Sequence, residues 1–260
     1  MKYFIYTIIT IILLSGLWAF FIEPNLIQIT NLKIQNEKLK GLKIVFASDF
    51  HIKPYEINRL RKTVDKINTQ SPDIILLGGD YVNSHRKNMT LPIEKIAKEL
   101  KNLKSQKGVY AVLGNHDGWQ GKYEVIKALE DNNITVLENS NKNIDNYTIA
   151  GVEDMQTGNP DIFKAVNGAN ENIILLTHTP DIFPQVPTSV MLTLAGHTHG
   201  GQIVFPMIPP LLVPSQYGKK YAYGLKEGNG HKMFVSKGLG TSILPLRFNC
   251  RPEIVVIEFI

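Results

Sequence analysis

Histidine, aspartate and asparagine side chains recur in five short blocks, each at the end of a short apolar run. Five of the chain's seven histidines lie in these blocks. Carboxylates, one carboxamide and neutral imidazoles are ligands for divalent cations, so the pattern predicts a metal site. The blocks are Asp49-Phe50-His51, Gly78-Gly79-Asp80, Gly114-Asn115-His116-Asp117, His178 and Gly196-His197-Thr198-His199.

The elements that must position these blocks are β-strands, because the apolar runs before them are short and β-like. These runs cover residues 44–47, 74–77, 109–113, 173–177 and 191–195. In α/β proteins, binding sites form at the carboxyl ends of strands. The first half of the chain alternates such runs with helical spacing, as in Ile57, Leu60, Val64 and Ile67, whereas the second half is strand-rich. This order predicts an α/β fold, a two-sheet sandwich flanked by helices.

The five blocks, in this order, resemble the motifs of the calcineurin-like metallophosphoesterases. The likeness runs from about Leu42 to the end of the chain, and five ordered blocks are far more specific than any one of them. Residues 196–202 and the tail 236–253 are similar to a bacterial membrane-associated phosphodiesterase branch of that family. The resemblance implies a hydrolase of phosphodiester or pyrophosphate bonds with two divalent metal ions. Mn is favoured over Fe or Zn.

The resemblance also implies how the metal ligands are shared. Asp80 is the implied carboxylate that touches both metals. Two cations held in this way neutralise a phosphate and lower the pKa of a water between them. The other implied ligands of the first metal are Asp49, His51 and His199. Those of the second metal are Asn115, His178 and His197.

Two residues of the third block are implied to be catalytic rather than metal-binding. His116 is expected to face the substrate and protonate the leaving oxygen, with Asp117 orienting its imidazole. The sequence departs from the family three positions after Asp80, where an acidic residue is common and Asn83 stands here. Position 83 is expected to lie behind the ligands, so the departure affects how the site is adjusted and not which residues bind metal. His85 and His231 lie outside the motifs and are interpreted as surface or packing residues.

The N-terminal segment predicts a membrane anchor. Residues 3–22 carry no charge, and about twenty helical residues span a bilayer. A secretory signal peptide is the alternative, but no A-x-A-like cleavage site follows. We therefore expect an anchor helix at 1–23, a metallophosphoesterase domain at 24–260, and a single-pass protein of the inner membrane. Lys33, Lys38 and Lys40 favour a cytoplasmic catalytic domain, although Lys2 favours a cytoplasmic N-terminus.

The charge balance and the single cysteine narrow the function classes. The net charge of +5 is compatible with an anionic partner. No dense arginine and aromatic patch is present, so nucleic acid is not an expected partner. A lysine series on one predicted helix is interpreted as a solvated face, with an anionic lipid surface as the alternative; it comprises Lys95, Lys98, Lys101 and Lys104. Cys250 is alone, which excludes an intramolecular disulfide.

The substrate is indicated by loops rather than by the metal motifs. Residues 203–214 are apolar and rich in proline, which bars a regular helix. They form either a loop buried against the core or an apolar lip that meets acyl chains or membrane. Arg247 and Arg251 either grip a phosphate or are surface charges.

Three functions stay open at the level of the sequence. With the anchor, an apolar lip favours a lipid-linked or amphiphilic phosphodiester. The resemblance implies a specific substrate, UDP-2,3-diacylglucosamine of lipid A synthesis, because some relatives in this branch hydrolyse its pyrophosphate. The first alternative is a phosphodiesterase or phosphomonoesterase of broad specificity that acts on small envelope metabolites. The second is a non-catalytic, membrane-tethered binding scaffold, which would be expected to lack some of the motif residues, and none is missing.

Overall fold

The computed structural model describes residues 1–210, 212–228 and 230–260. Within them, two six-stranded sheets pack on each other. The first sheet contains β1 (Gln28–Ile34), β2 (Lys43–Ala47), β3 (Ile74–Leu77), β4 (Val109–Ala111), β5 (Thr135–Val136) and β12 (Glu253–Phe259). The second contains β6 (Ser140–Ile144), β7 (Tyr147–Gly151), β8 (Ile173–Leu176), β9 (Val190–Ala195), β10 (Gly224–Gly228) and β11 (His231–Val235). The α-helices are α1 (Lys2–Leu17), α2 (Ile57–Asn68), α3 (Ile93–Leu100), α4 (Asn115–Glu130) and α5 (Ile162–Val166).

The strand register brings the polar blocks to one edge of the sandwich. The strand orders are β1-β12-β2-β3-β4-β5 and β10-β11-β9-β8-β7-β6. Strands β2 to β5 run parallel, and Leu77 pairs with both Ala47 and Ala111, so three carboxyl ends lie level. Strands β8 and β9 are also parallel, with Leu176 opposite Leu194. The blocks that follow these strands therefore emerge side by side.

The central strands are buried on both faces, which explains their nearly continuous apolar sequences. Ile44 and Phe46 of β2 pack toward the second sheet, in a cluster with Ile174 and Leu176. Residues 45 and 47 pack instead with the helices on the outer side. Helix α2 buries Leu60, Val64 and Ile67, and α3 buries Ile93, Ile96 and Leu100, both at helical spacing. The predicted α/β sandwich with flanking helices is confirmed.

The structure differs from the sequence-based expectation in polar segments. Strands β6 and β10 lie at sheet edges and pair in antiparallel hairpins, but neither has the apolar pattern of a core strand. Helix α5 is five residues long and is capped by Asp161, whose side chain accepts a hydrogen bond from the Lys164 backbone amide. The block 115–117 forms the first turn of α4 instead of a loop after β4. The first four residues of α4, Asn115-His116-Asp117-Gly118, have no apolar periodicity from which a helix could be predicted.

The N-terminal segment is one long, exposed helix. Helix α1 continues into a π-helical turn at Trp18–Ile22 and a 3₁₀ turn at Glu23–Asn25. Lys2–Asn25 therefore form 24 helical residues, and an 18-residue window within them has a mean hydropathy of 2.3 with only 6% of that window buried. By length and composition the helix could cross a membrane. A signal sequence would meet the same criterion.

Candidate active site

The side chains of the five sequence blocks converge at the carboxyl edge of the two sheets. The loops after β2 and β3 continue to pair beyond the strands, because the Asp49 amide donates to the Gly79 carbonyl and the His51 amide to the Asp80 carbonyl, both at 2.9 Å. In the second sheet, the Gly196 amide donates to the His178 carbonyl at 2.9 Å. All seven predicted ligands are buried. The structure thus brings them together in a single polar cluster.

A first group of predicted ligands is linked by short contacts between their ligand atoms. His51 Nε2 lies 3.3 Å from Asp80 Oδ2 and 3.1 Å from His199 Nε2. His199 Nε2 lies 3.6 Å from Asp49 Oδ1. We call these four residues the first cluster: Asp49, His51, Asp80 and His199.

A second group shares Asp80 with the first. His178 Nε2 lies 3.3 Å from the same Asp80 Oδ2 atom and 3.2 Å from Asn115 Oδ1. His197 Nδ1 lies 3.2 Å from His178 Nε2. We call these residues the second cluster: Asp80, Asn115, His178 and His197.

The spacing of these atoms fits divalent cations. Ligand bonds of about 2.1 Å place neighbouring ligand atoms of one metal about 3.0–3.4 Å apart, as most of the distances above do. Two pairs of imidazole nitrogens, His51–His199 and His178–His197, lie 3.1 and 3.2 Å apart, a separation that either an N–H···N hydrogen bond or a shared metal ion accounts for. Asp49 Oδ2 is also buried without a hydrogen-bond partner among the described residues. The donor set therefore fits two divalent metal ions that share the Asp80 carboxylate.

The electrostatics of the cluster leave most imidazoles neutral and able to bind metal. Burial lowers the pKa of His51, His197 and His199. Burial acts in the same direction on His178, but the adjacent Asp80 carboxylate outweighs it and raises the pKa of His178. Burial alone would raise the pKa of Asp80, but His178 and the neighbouring histidines lower it. Asp80 is therefore an anion at neutral pH.

The backbone at the site is held in an unfavourable conformation. Non-glycine residues in the left-handed region cost roughly 1–2 kcal/mol each, so such residues persist where the fold requires them. Five of the seven ligands have positive φ, which turns their side chains inward directly after the strands. They are Asp49 (55°), His51 (43°), Asp80 (55°), His197 (70°) and His199 (51°).

Gly114 is required by the close approach of α4 to Asp80. A Cβ atom on Gly114 would lie 2.2 Å from Asp80 Oδ1. The same oxygen accepts a hydrogen bond from the His116 amide at 2.9 Å. The glycine of the third block thus lets the first turn of α4 bind the carboxylate shared by both clusters.

His116 lies beside the clusters and is only partly buried. Its ring packs edge-on against His51, with centroids 4.6 Å apart. Its Nδ1 lies 2.9 Å from the Asn83 carbonyl oxygen, which can only accept, so Nδ1 carries a proton and Nε2 is the free nitrogen. A His116 nitrogen lies within 4.8 Å of ligand atoms of His51 and Asp80. The ring can therefore reach a group bound at the clusters.

The expected role of Asp117 in orienting His116 is corrected by the structure. Its carboxylate accepts four backbone hydrogen bonds, from the amides of Asp80, Tyr81, Val82 and Gly114 at 2.7–3.2 Å. Burial and the nearby Asp80 raise the pKa of Asp117 to about 7, whereas these four donors favour its ionised form. Asp117 instead ties the loop after β3 to the start of α4. The His116 ring is oriented by the Asn83 carbonyl, a backbone group with no signature in the sequence.

Two further residues at the site were not predicted. Gln156 Nε2 lies 3.2 Å from His197 Nε2, on the side of the ring opposite the second cluster. Asp154 holds the Gln156 backbone, because its carboxylate accepts a hydrogen bond from the Gln156 backbone amide at 2.8 Å. Neither residue belongs to a recognisable block, so only their position in space identifies them.

Arg247 is buried beside His199 of the first cluster. It is therefore neither a surface charge nor free to grip a phosphate, the two roles predicted from the sequence. It is fully buried, and its guanidinium donates to the carbonyl oxygens of Lys237, Gly238, Gly240 and Cys250. Its Nη2 lies 3.4 Å from His199 Nδ1. The guanidinium is thus committed to the protein backbone. Arg251, by contrast, is exposed.

We expect Arg247→Met to destabilise the protein and weaken its metal binding. The substitution keeps much of the side-chain volume but leaves buried carbonyl groups without donors, at a cost of about 3 kcal/mol. Thermal unfolding with and without added Mn²⁺ measures both effects. Arg251→Met is the matched control, since Arg251 is exposed and should tolerate the change. Equal melting temperatures for the two variants would contradict the supporting role of Arg247.

Comparison with known proteins agrees with this geometry. The family model described as calcineurin-like phosphoesterase matches residues 42–201. The chain is 31% identical to the uncharacterised metallophosphoesterase YkuE of Bacillus subtilis, covering 92% of this chain and 87% of YkuE. It is also 31% identical to the phosphodiesterase YaeI of Escherichia coli, covering 84% and 82%.

A solved structure shows the same fold at low sequence identity. A dimetal phosphatase from Danio rerio superposes with a TM-score of 0.52 and 10% identity, covering 85% of this chain and all of that one. The family resemblance drawn from the five blocks is confirmed. The chain belongs to the calcineurin-like phosphoesterase family and is a metal-dependent phosphoric ester hydrolase.

Proposed function

We propose that this hydrolase cleaves a phosphodiester or pyrophosphate bond of a lipid-linked substrate at a membrane surface. The observation that carries the proposal is an exposed apolar loop directly beside the metal-ligand clusters. The specific substrate proposed is UDP-2,3-diacylglucosamine, whose hydrolysis yields UMP and an acylated sugar phosphate. The proposed location is the cytoplasmic face of the inner membrane.

The apolar loop at 203–214 begins four residues after His199. Of the two sequence-based interpretations, burial against the core is wrong for the described residues, because Phe205, Met207 and Ile208 are all exposed. Leu211 lies outside the described residues. Gly201 and Gln202 are buried and connect the loop to the first cluster. A substrate phosphate at the clusters would place an attached acyl chain within reach of this loop.

We propose that the first cluster binds one metal ion and the second cluster binds the other. Asp80 is proposed to touch both metals, since the same Oδ2 atom lies 3.3 Å from both His51 Nε2 and His178 Nε2. When bound, two divalent metals neutralise the phosphate and lower the pKa of a water held between them. We propose Mn²⁺ for both sites. The mixed carboxylate, carboxamide and imidazole set is compatible with Mn, Fe and Zn.

His116 is proposed to supply the proton that the leaving oxygen needs. Its Nδ1 donates to the Asn83 carbonyl, which fixes the ring and directs Nε2 away from this contact. For this step Nε2 must first take a proton from solvent to give the imidazolium; Nε2–H then passes that proton to the oxygen of the departing group and leaves the neutral ring with its proton on Nδ1. His116 is less buried than the seven proposed ligands, as a residue that meets substrate must be.

The cytoplasmic location is proposed from the charges that follow the helix. Lys33, Lys38 and Lys40 are exposed within about twenty residues of its end, the distance over which basic residues favour the cytoplasmic side.

The test uses the purified full-length protein with Mn²⁺ and three substrates. We expect release of UMP from UDP-2,3-diacylglucosamine and faster hydrolysis of a bis-aryl than of a mono-aryl phosphate. Turnover of the aryl diester without UMP release would exclude the lipid nucleotide and favour an enzyme of broad specificity. A purified protein with an empty metal site, no turnover of any of the three substrates and no measurable effect of Asn115→Ala would instead support a non-catalytic scaffold.

A further inference from the structure

We propose that two loops beside the clusters form a surface that inserts into the lipid bilayer, so that the domain lies with its site against the membrane. The surface consists of residues 203–210 and 242–244 and is called the lipid-contact surface. This inference rests on the proposed membrane anchoring of the N-terminal helix. It adds the loop 242–244, the depth of insertion and the direction from which substrate arrives.

At the tip of each loop a large apolar side chain is fully exposed. Met207 is 103% exposed and Ile243 is 101% exposed. Both have φ of 63°, a conformation that is costly for a β-branched residue such as Ile243. Their neighbours Ile208 and Leu244 are about half exposed. Large apolar side chains exposed together on neighbouring loops mark a site of contact with a protein or a membrane.

The two loops are tied to each other by the buried side chain of Gln202. Gln202 Nε2 donates to the carbonyl oxygens of Ser242 and Leu244 at 3.1 and 2.9 Å. The Ser242 amide donates to Gln202 Oε1 at 2.8 Å. Because Gln202 lies three residues after His199, the lipid-contact surface and the first cluster share one short segment. The surface therefore borders the proposed site of reaction.

The end of the N-terminal helix contacts Arg247, three residues after the loop 242–244. This contact sets how deep the lipid-contact surface lies relative to the helix end. The Arg247 amide donates to the Ala19 carbonyl at 3.0 Å. Ala19 stands six residues, or about 9 Å, before the helix ends at Asn25. If the helix crosses a bilayer, residues 242–247 lie level with its last turns. Apolar side chains buried about 5–10 Å deep at the acyl boundary are typical of membrane-surface proteins.

The charges around the surface suit anionic headgroups. Segments 203–222 and 239–252 contain no Asp or Glu and include Lys219, Lys220 and Arg251. A cavity of about 510 Å³ opens between the helix end and the loops, lined by the cations Lys237 and Arg251, by Trp18, Pro206 and Phe248, and by one carboxylate, Glu23, which is buried and accepts hydrogen bonds from Trp18 and the Cys250 amide. Basic residues close to a membrane are attracted to its anionic headgroups. A bilayer is therefore the occupant that fits both the apolar tips and the cations behind them.

The first experiment measures bilayer contact in full-length protein reconstituted in nanodiscs that contain anionic lipid. An environment-sensitive fluorophore is attached at Ile243→Cys, and at Phe163→Cys as the matched control on α5. Phe163 is also exposed, at 77%, and the native Cys250 is buried and does not compete for the label. We expect lipids with a doxyl quencher near the headgroup to quench the probe at 243 and not at 163.

Equal quenching at the two positions would overturn the inference. If a second copy of the chain covers the loops instead, emission at 243 will shift with protein concentration in detergent and will not respond to doxyl lipid. That result would also overturn it. Neither outcome depends on catalysis, so failure of this inference is distinguishable from failure of the proposed function.

The second experiment links the surface to substrate supply. In Met207→Asp/Ile243→Asp, we expect the rate on a lipid-linked phosphodiester, relative to that on a soluble aryl diester, to fall about tenfold or more, which is about 1.4 kcal/mol. Metal content and thermal unfolding of the variant establish that the clusters are intact. An unchanged ratio of the two rates would contradict substrate delivery across this surface.

Discussion

Replacement of Asp80 by Asn is expected to remove most of the bound metal and to reduce the rate of phosphodiester hydrolysis about 1,000-fold or more, because the metal pair supplies several kcal/mol of transition-state stabilisation. The reason is that one oxygen atom of Asp80 lies close to ligand atoms of both clusters. Asp80 Oδ2 lies 3.3 Å from His51 Nε2 in the first cluster and 3.3 Å from His178 Nε2 in the second. Removing one carboxylate charge therefore weakens both metal sites together. Elemental analysis and the steady-state rate on a bis-aryl phosphate measure the two losses.

The control for this prediction is Asp65→Asn. Asp65 is exposed on α2, so the same chemical change there should leave metal content and rate unaltered. Thermal unfolding of metal-free Asp80→Asn should show a folded protein, since the carboxamide retains the size of the side chain. A variant that keeps two metals per chain would show that the clusters do not depend on a shared carboxylate.

Much of the fold could be predicted because the buried strands are almost purely apolar. β2, β3 and β8 are buried on both faces, so their sequences stand out from the polar loops around them. Edge elements were missed for the opposite reason. β6 reads Ser-Asn-Lys-Asn-Ile and has no buried residue, and its place in the sheet depends on pairing with β7. Such tertiary pairing leaves no local pattern.

The ligand types of the site were predictable, but the contacts that orient them were not. The five blocks carry their own side-chain chemistry, and parallel strands bring them to one edge. Asp117, Asn83 and Arg247 act through backbone groups instead: Asp117 accepts from amides, the Asn83 carbonyl holds His116, and Arg247 donates to carbonyls. Backbone partners are the same for every amino acid. Only the folded positions of these groups distinguish an orienting residue from a structural one.

His116→Ala is expected to retain both metals and to lose about 10²–10⁴-fold in rate, the usual contribution of a general acid. His116 lies beside the clusters, and its Nδ1 is engaged by the Asn83 carbonyl, so its loss removes no proposed ligand. The deficit should depend on the leaving group. A nitrophenolate departs without a proton, so, relative to the unsubstituted protein, the variant should lose much less of its rate on a nitrophenyl diester than on an alkyl diester. His85→Ala provides the control, since His85 is exposed and outside the site.

The leaving-group dependence separates proton donation from metal binding and from simple packing. His116 contacts both His51 and Trp119, with ring centroids 4.6 and 5.3 Å apart, so its removal could also loosen the first cluster. Loosening would reduce the rate on every substrate by the same factor and would lower the metal content. A missing proton donor leaves the metals in place and penalises poor leaving groups alone. An equal loss on alkyl and nitrophenyl diesters would therefore assign His116 to positioning of the cluster rather than to acid catalysis.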